Sequence, residues 1–222
     1  MKKYSIALDG PCGVGKGVTT ELVAKKLNLK PLDSGAIYRA IGYYMTINNI
    51  KPETFKEELL ENINIEFSEH NFVQLNNEPI EEKIRNLEIG MAASNFAKLK
   101  PIRTFATKIQ KKLVLKGGYI VDGRATAYEI PEIPIKIFMT ASSKVRAQRR
   151  YDEYVKKDPS IKFKEIHKQI EERDKKDQTR SQYPLIKHPD AFLLDNSNLT
   201  INEQVTLIID IYNSYVEKKN SN

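Results

Sequence analysis

The sequence predicts an α/β fold, a parallel sheet flanked by helices. Three observations carry the prediction. Short apolar runs alternate with helical stretches along the chain. The first of them, Tyr4–Leu8, runs through a glycine-rich turn straight into a helix. With 222 residues, 40% hydrophobic and 29% charged, the chain is long enough for a substantial core and polar enough for a soluble surface. In chain order, Tyr4–Leu8 reads as a buried strand, and Lys16–Leu27 as a helix with Leu22, Val23 and Leu27 on helical spacing. Pro31–Arg39 follows as a short strand, a turn and a helix start. Ile63–Phe67 and Phe72–Leu75 read as a hairpin, with a further turn at Asn76-Asn77-Glu78-Pro79, so residues of about 60–85 form a small β-rich insert. Tyr119–Val121, Ile135–Met139 and Ala191–Leu194 are further strands. Helices are expected at about 101–116, 143–157, 162–181 and 200–218.

The charge narrows the partners. Lys and Arg number 36 against 29 Asp and Glu, a net +7 that favours an anionic partner. The lysine-rich stretches Lys108–Lys116 and Lys156–Lys168 read as solvated helix faces, and no aromatic-interleaved basic stripe marks a nucleic-acid surface. No apolar run reaches the length of a membrane span, and the first ten residues lack the apolar stretch of a secretory signal. Cys12 is the only cysteine, which excludes an intrachain disulfide and a multi-cysteine metal site. The expectation is a cytoplasmic protein, a monomer, that binds neither membrane nor nucleic acid.

The sharpest signal is Gly10-Pro11-Cys12-Gly13-Val14-Gly15-Lys16, set between a strand and a helix. Glycines let successive backbone N–H groups turn toward phosphate oxygens, and the helix N-terminus adds partial positive charge. Lys16 is placed to reach the outer phosphates. The hydroxyl residue that commonly follows the lysine is missing: Gly17 and Val18 come next, and Thr19 and Thr20 lie further along the helix. Mg²⁺ is therefore expected to be held mainly by nucleotide phosphates and water.

Other segments point to an acceptor. Asp33 stands at a strand end, Ser34 is placed to cap the next helix, and Arg39 follows on that helix. Val121-Asp122-Gly123-Arg124 ends a buried strand, where ligands bind in α/β folds, so Asp122 and Asp33 are candidates to order Mg²⁺ through water. Arg173, Asp177 and Arg180 fall at i, i+4 and i+7. Two guanidinium forks beside a carboxylate suit a phosphate and a sugar, although a charged run of this kind also reads as a solvated face. His70, His167 and His188 are scattered among polar segments and read as surface residues.

Taken together the chain resembles the bacterial cytidylate kinase family. The resemblance rests on Gly-Pro-x-Gly-x-Gly-Lys-Gly at 10–17, Leu-Asp-Ser-Gly-Ala-Ile-Tyr-Arg at 32–39, Ala-Ala-Ser at 92–94, Asp-Gly-Arg at 122–124, Ala-Ser-Ser-x-x-Arg-Ala-x-Arg-Arg at 141–150 and Arg-Asp-x-x-Asp-x-x-Arg at 173–180. It implies a P-loop nucleoside-monophosphate kinase that moves the γ-phosphoryl of ATP to CMP or dCMP with Mg²⁺. It also implies one domain made of a core (about 1–35, 96–142 and 182–222), a monophosphate-binding region (about 36–95) and a lid (about 143–181). Gly10, Pro11, Cys12, Gly13, Val14, Gly15, Lys16, Gly17, Val18 and Arg149 are then the ATP-binding residues. Ser34, Arg39, Ser94, Arg103, Arg124, Arg173, Asp177 and Arg180 are the CMP-binding residues, and Lys16, Arg124, Arg150 and Arg180 the catalytic ones. Arg146, with Arg149 and Arg150, is expected to neutralise the donor phosphates at the start of the lid.

Two departures stand out. The family usually has an aspartate where this chain has Ala125, so a carboxylate that could accept from the cytosine amino group is missing. Val18 replaces a usual Thr or Ser. These changes leave open a diverged nucleotide-binding protein of the same fold, with UMP as acceptor or with catalysis lost.

Overall fold

A computed structural model describes residues 3–68, 71–156 and 158–221. The chain divides into two compact units, Met1–Pro31 with Gly117–Asn222, and Leu32–Lys116.

The first unit is built on a five-stranded sheet. Its strands are β1 (Ile6–Asp9), β2 (Lys30–Asp33, whose last two residues count with the second unit), β6 (Tyr119–Gly123), β7 (Ile135–Thr140) and β8 (Phe192–Asp195), in the order β2-β6-β1-β7-β8. β1 pairs in parallel with β6 (Leu8 opposite Asp122) and with β7 (Leu8 opposite Ile137). All four residues of β1 are buried, as a central parallel strand requires. Helices α1 (Lys16–Leu27) and α8 (Ile201–Asn220) pack on the sheet, placing Val23, Val205, Ile208 and Tyr212 against Ile6, Leu8, Ile120, Ile135 and Met139. A short α5 (Thr126–Glu129) follows β6. Helices α6 (Ser143–Tyr154) and α7 (Phe163–Gln178) form their own small core from Ala147, Ile166 and Ile170 with Tyr151 and Phe163. The predicted parallel α/β architecture is present, with each predicted strand and helix of this unit in place.

The second unit holds α2 (Ser34–Ile47), 3-10 turns at Pro52–Thr54 and Glu57–Asn62, strands β3 (Ile65–Phe67), β4 (Val73–Leu75) and β5 (Glu78–Pro79), then α3 (Leu87–Phe96) and α4 (Lys100–Val114). Asn76 and Asn77 both adopt positive φ, the requirement of a tight two-residue hairpin turn. That turn adds β5 to the predicted hairpin and makes a three-stranded antiparallel sheet. Helix α3 has no counterpart in the sequence reading. Its start is set by Asn86, whose side chain accepts from the Ile89 N–H. Gly42 lets α2 and α3 approach closely: a Cβ there would lie 2.7 Å from the Ala93 nitrogen. The predicted cap of α2 is corrected as well. Asp33, not Ser34, receives the Ala36 N–H, and Ser34 is the first helical residue.

Candidate functional site

In the first unit the loop from Gly10 to Gly15 joins β1 to α1. Gly13 and Gly15 have φ of 75° and 92°, values that residues with a Cβ rarely adopt. Helix α1 starts without a side-chain cap and without an acidic residue in its first turn, so its leading N–H groups and dipole are left for an anion. The Lys16 ammonium is buried beside the loop, donating to the carbonyls of Gly10 at 2.8 Å and Pro11 at 3.1 Å, with Asp122 Oδ1 3.6 Å away. Burial and the neighbouring Arg124 charge lower its pKa to about 8, against the pull of Asp122.

Arg124 donates to the Gly10 carbonyl at 2.9 Å and lies 4.0 Å from Asp177. Arg150 places its Nη1 3.3 Å from the Cys12 sulfur and its other nitrogens on the Tyr154 hydroxyl. Burial alone would raise the Cys12 thiol, but the charges of Arg124, Arg173, Arg150 and Lys16 outweigh it and hold the thiol below its ordinary range. Arg149 reaches Asn196 Oδ1 at 3.1 Å and its carbonyl at 2.8 Å. A cavity of about 620 Å³ opens beside the loop, with Val18, Leu199 and Ile201 as apolar wall and Arg149 and Arg150 on its polar side. Half-exposed Val18, which replaces the family's usual Thr or Ser, thus faces the cavity.

Three expectations in this unit change. Arg146 is buried: its guanidinium donates to the Cys12 and Ala141 carbonyls and to both oxygens of Asp174, at 3.1 and 2.5 Å. It ties the loop to α7 and has few donors left for phosphate. Arg173, Asp177 and Arg180 do not share one helix face, because α7 ends at Gln178. The Thr179 hydroxyl turns back to the Lys175 carbonyl, and Arg180 lies beyond, 3.9 Å from Asp177 and donating to the Tyr183 carbonyl. His167 and His188 are only partly exposed, the first bonded to Ser143 and stacked on Phe163, the second against the Tyr128 ring. His70 lies outside the described residues.

Ala125 is buried at the start of α5. A carboxylate does stand close by, on Asp9, but it accepts the N–H groups of Thr126 and Ala127, each at 2.8 Å. Burial raises the Asp9 pKa against those two bonds.

In the second unit, Asp33 gathers the basic side chains. Its Oδ1 accepts from Ala36, while its Oδ2 meets Arg39 and, at 2.7 Å, Arg85 Nη1. Burial would raise this carboxyl, but Arg39 and Arg85 hold it below the usual range. A carboxylate so engaged is a poor metal neighbour, contrary to the expectation for Asp33. Arg85 also binds Glu81 Oε1 at 2.7 Å through Nε. Arg103 of α4 is buried, donates to the Ala97 carbonyl at 3.3 Å and stacks 5.6 Å from the Tyr38 ring centroid. Ser94 is exposed on α3, next to the Ala93 that packs on Gly42.

Sequence reasoning missed Arg85, Asp174, Asn196 and Gln204. For Gln204 a signal existed: it sits four residues before Ile208 and eight before Tyr212, on the apolar stripe of α8. Arg85 and Asn196 carried none.

Comparison with known proteins supplies the deciding observation. The family model described as cytidylate kinase matches residues 6–214. The chain belongs to the cytidylate kinase family. Among curated relatives, a cytidylate kinase of Fervidobacterium nodosum is 41% identical over 93% of this chain and 94% of its own length. One of Thermosipho melanesiensis is 40% identical over 93% and 95%. One of Clostridioides difficile is 36% identical over 96% and 100%. Two solved structures share the fold at 11% identity. An uncharacterized protein from Eubacterium ventriosum has a TM-score of 0.56, covering 96% of this chain and 99% of that one. A gluconokinase from Sinorhizobium meliloti has a TM-score of 0.50, covering 98% and 95%. No helix among the described residues of this family member is long and apolar enough to cross a membrane.

Proposed function

We propose that this cytidylate kinase family member transfers the γ-phosphoryl group of ATP to CMP or dCMP, releasing ADP and CDP or dCDP. The observation that carries the reading is the uncapped N-terminus of α1 with Lys16 buried beside it, in a chain matched to the family over residues 6–214. Backbone N–H groups of Gly13–Lys16 hold the donor phosphates, and Val18, Leu199 and Ile201 give the base an apolar wall. Lys16, Arg124, Arg150 and Arg180 offset charge on the phosphoryl group in transit, and Arg149 holds the donor. Phosphoryl transfer needs positioning and charge compensation more than covalent help, so no nucleophilic side chain is required. For CMP we assign Ser34, Arg39, Ser94 and Arg103 as the binding residues of the second unit, and Arg124, Arg173, Asp177 and Arg180 as those of the first.

The family's P-loop chemistry generally uses ATP with Mg²⁺. Among the described residues no cluster of three or more His, Cys, Asp or Glu side chains could hold an ion. Asp122, partly exposed at the end of β6 and 3.6 Å from Lys16, fits an ion carried mainly by phosphates and water. Such an ion, when bound, neutralises charge on the β- and γ-phosphate oxygens.

The test follows ADP release from ATP-Mg²⁺ with CMP, dCMP, UMP and dUMP offered separately. Turnover is expected with CMP and dCMP. Absence of ADP release with both, at any acceptor concentration, overturns the reading.

A further inference from the structure

We infer that Asn196 and Gln204 are positioning residues that set the phosphate loop from behind, through Thr19, and couple it to Arg149. The inference rests on the donor assignment above and concerns side chains that assignment does not use. Asn196 and Thr19 are fully buried and Gln204 is 3% exposed.

These side chains form a closed polar chain. Asn196 Nδ2 donates to the Val14 carbonyl at 2.9 Å and to Gln204 Oε1 at 2.6 Å. Gln204 Nε2 donates to the Thr19 hydroxyl at 2.5 Å, and that hydroxyl donates to the Gly15 carbonyl at 2.8 Å. On its other side, Asn196 Oδ1 and its backbone carbonyl both accept from Arg149. The backbone of Asn196 is anchored in turn, its N–H donating to the Thr140 carbonyl at the end of β7 at 2.9 Å. Three buried polar side chains without charge are costly unless mutually satisfied, and these satisfy one another.

The consequence for the loop follows from peptide geometry. In a planar trans peptide the C=O and the next N–H point in opposite directions, and no described peptide is cis. Asn196 pulls the Val14 carbonyl to one side, so the Gly15 N–H is aimed to the other. Thr19, oriented by Gln204, holds the Gly15 carbonyl and aims the Lys16 N–H in the same way. Two consecutive loop N–H groups are thereby oriented before any phosphate arrives, which removes an ordering cost from binding. Because Asn196 also carries Arg149, loop and arginine move as one body.

The test compares Thr19→Val, which keeps shape and loses the hydroxyl, with Thr19→Ser, which restores it. Asn196→Asp, in which an acceptor faces the Val14 carbonyl, is the third variant. ADP, tripolyphosphate and CMP are titrated calorimetrically on the full chain, with melting midpoints alongside. Thr19→Val and Asn196→Asp are expected to weaken ADP and tripolyphosphate about tenfold while Thr19→Ser and CMP affinity stay within about twofold of the parent. Parent-like ADP affinity in Thr19→Val overturns the proposal. So does equal weakening by Val and Ser, or a loss of ADP affinity that only tracks a lowered melting midpoint. A parent that shows the ADP pattern but turns over no CMP refutes the acceptor assignment and leaves the positioning pair standing.

Discussion

Replacing Lys16 with Met should sharply reduce turnover and stabilise the protein at neutral pH. The ordinary lysine value of 10.5 falls to about 8 here. A gap of about 2.5 units at about 1.4 kcal/mol each puts the cost of burying this charge near 3 kcal/mol at pH 7. Removing the ammonium takes a donor from two carbonyls. That of Gly10 keeps Arg124 at 2.9 Å, while that of Pro11 loses its 3.1 Å partner. One lost bond of about 1 kcal/mol leaves a net gain of about 2 kcal/mol, which for a chain of this size raises the melting midpoint by about 4–8 °C. The pH dependence has a fixed sign. Between pH 8 and 10.5 the folded lysine has lost its proton while the unfolded one retains it, so the parent gains stability as pH rises. The advantage of Lys16→Met should therefore be largest at pH 7 and nearly gone by pH 10. Turnover should fall by about 10²–10³ or more, since a principal cation on the transferring group is lost. Thermal melts at both pH values and an ADP-release assay measure all three effects. A variant less stable than the parent at pH 7, with a gap that does not change up to pH 10, refutes the reasoning.

Other substitutions test other parts of the structure. Asp174→Ala leaves the buried Arg146 guanidinium without its carboxylate and should cost roughly 3–5 kcal/mol, read as a lower denaturant midpoint. Gly42→Ala drives a Cβ to 2.7 Å from the Ala93 backbone nitrogen and should destabilise by about 1–3 kcal/mol in the same assay. Asp33→Asn loosens Arg39 and Arg85 and should raise the KM for CMP about fivefold while that for ATP stays unchanged. The lowered Asp33 pKa means its pairing stabilises above the unfolded value of 3.8 and is lost only as pH falls below it, so the parent and Asp33→Asn should converge in strong acid.

The centre of the sheet was legible because β1 is buried on both faces and reads as the unbroken apolar run Ile6-Ala7-Leu8. The phosphate loop was legible because its geometry demands glycine at Gly13 and Gly15, a constraint visible in composition. Helix α3 was not, since Gly90, Ala92, Ala93 and Ser94 dilute its apolar periodicity and Asn86 alone marks its start. The polar partners were least legible. Arg146, Arg149 and Arg150 look equivalent in sequence, yet one is buried on Asp174, one held by Asn196 and one set on Tyr154 and Cys12. Contacts with α7, with the end of β8 and with the phosphate loop, 28 to 138 residues away, made most of those assignments, and apart from the Arg150–Tyr154 pair the spacing on α6 does not encode them.

The placement of β1 has a consequence for synthesis. Its sheet partners are β6 and β7, which begin only at Tyr119 and Ile135. Leu32–Lys116, by contrast, is one uninterrupted stretch, so its own core can assemble while its partner unit is still half made. At about 5–20 residues per second, Ile6, Ala7 and Leu8 wait roughly 6–25 s after leaving the ribosome before their neighbours exist. The most buried strand of the sheet is thus the one that waits longest for its neighbours during translation.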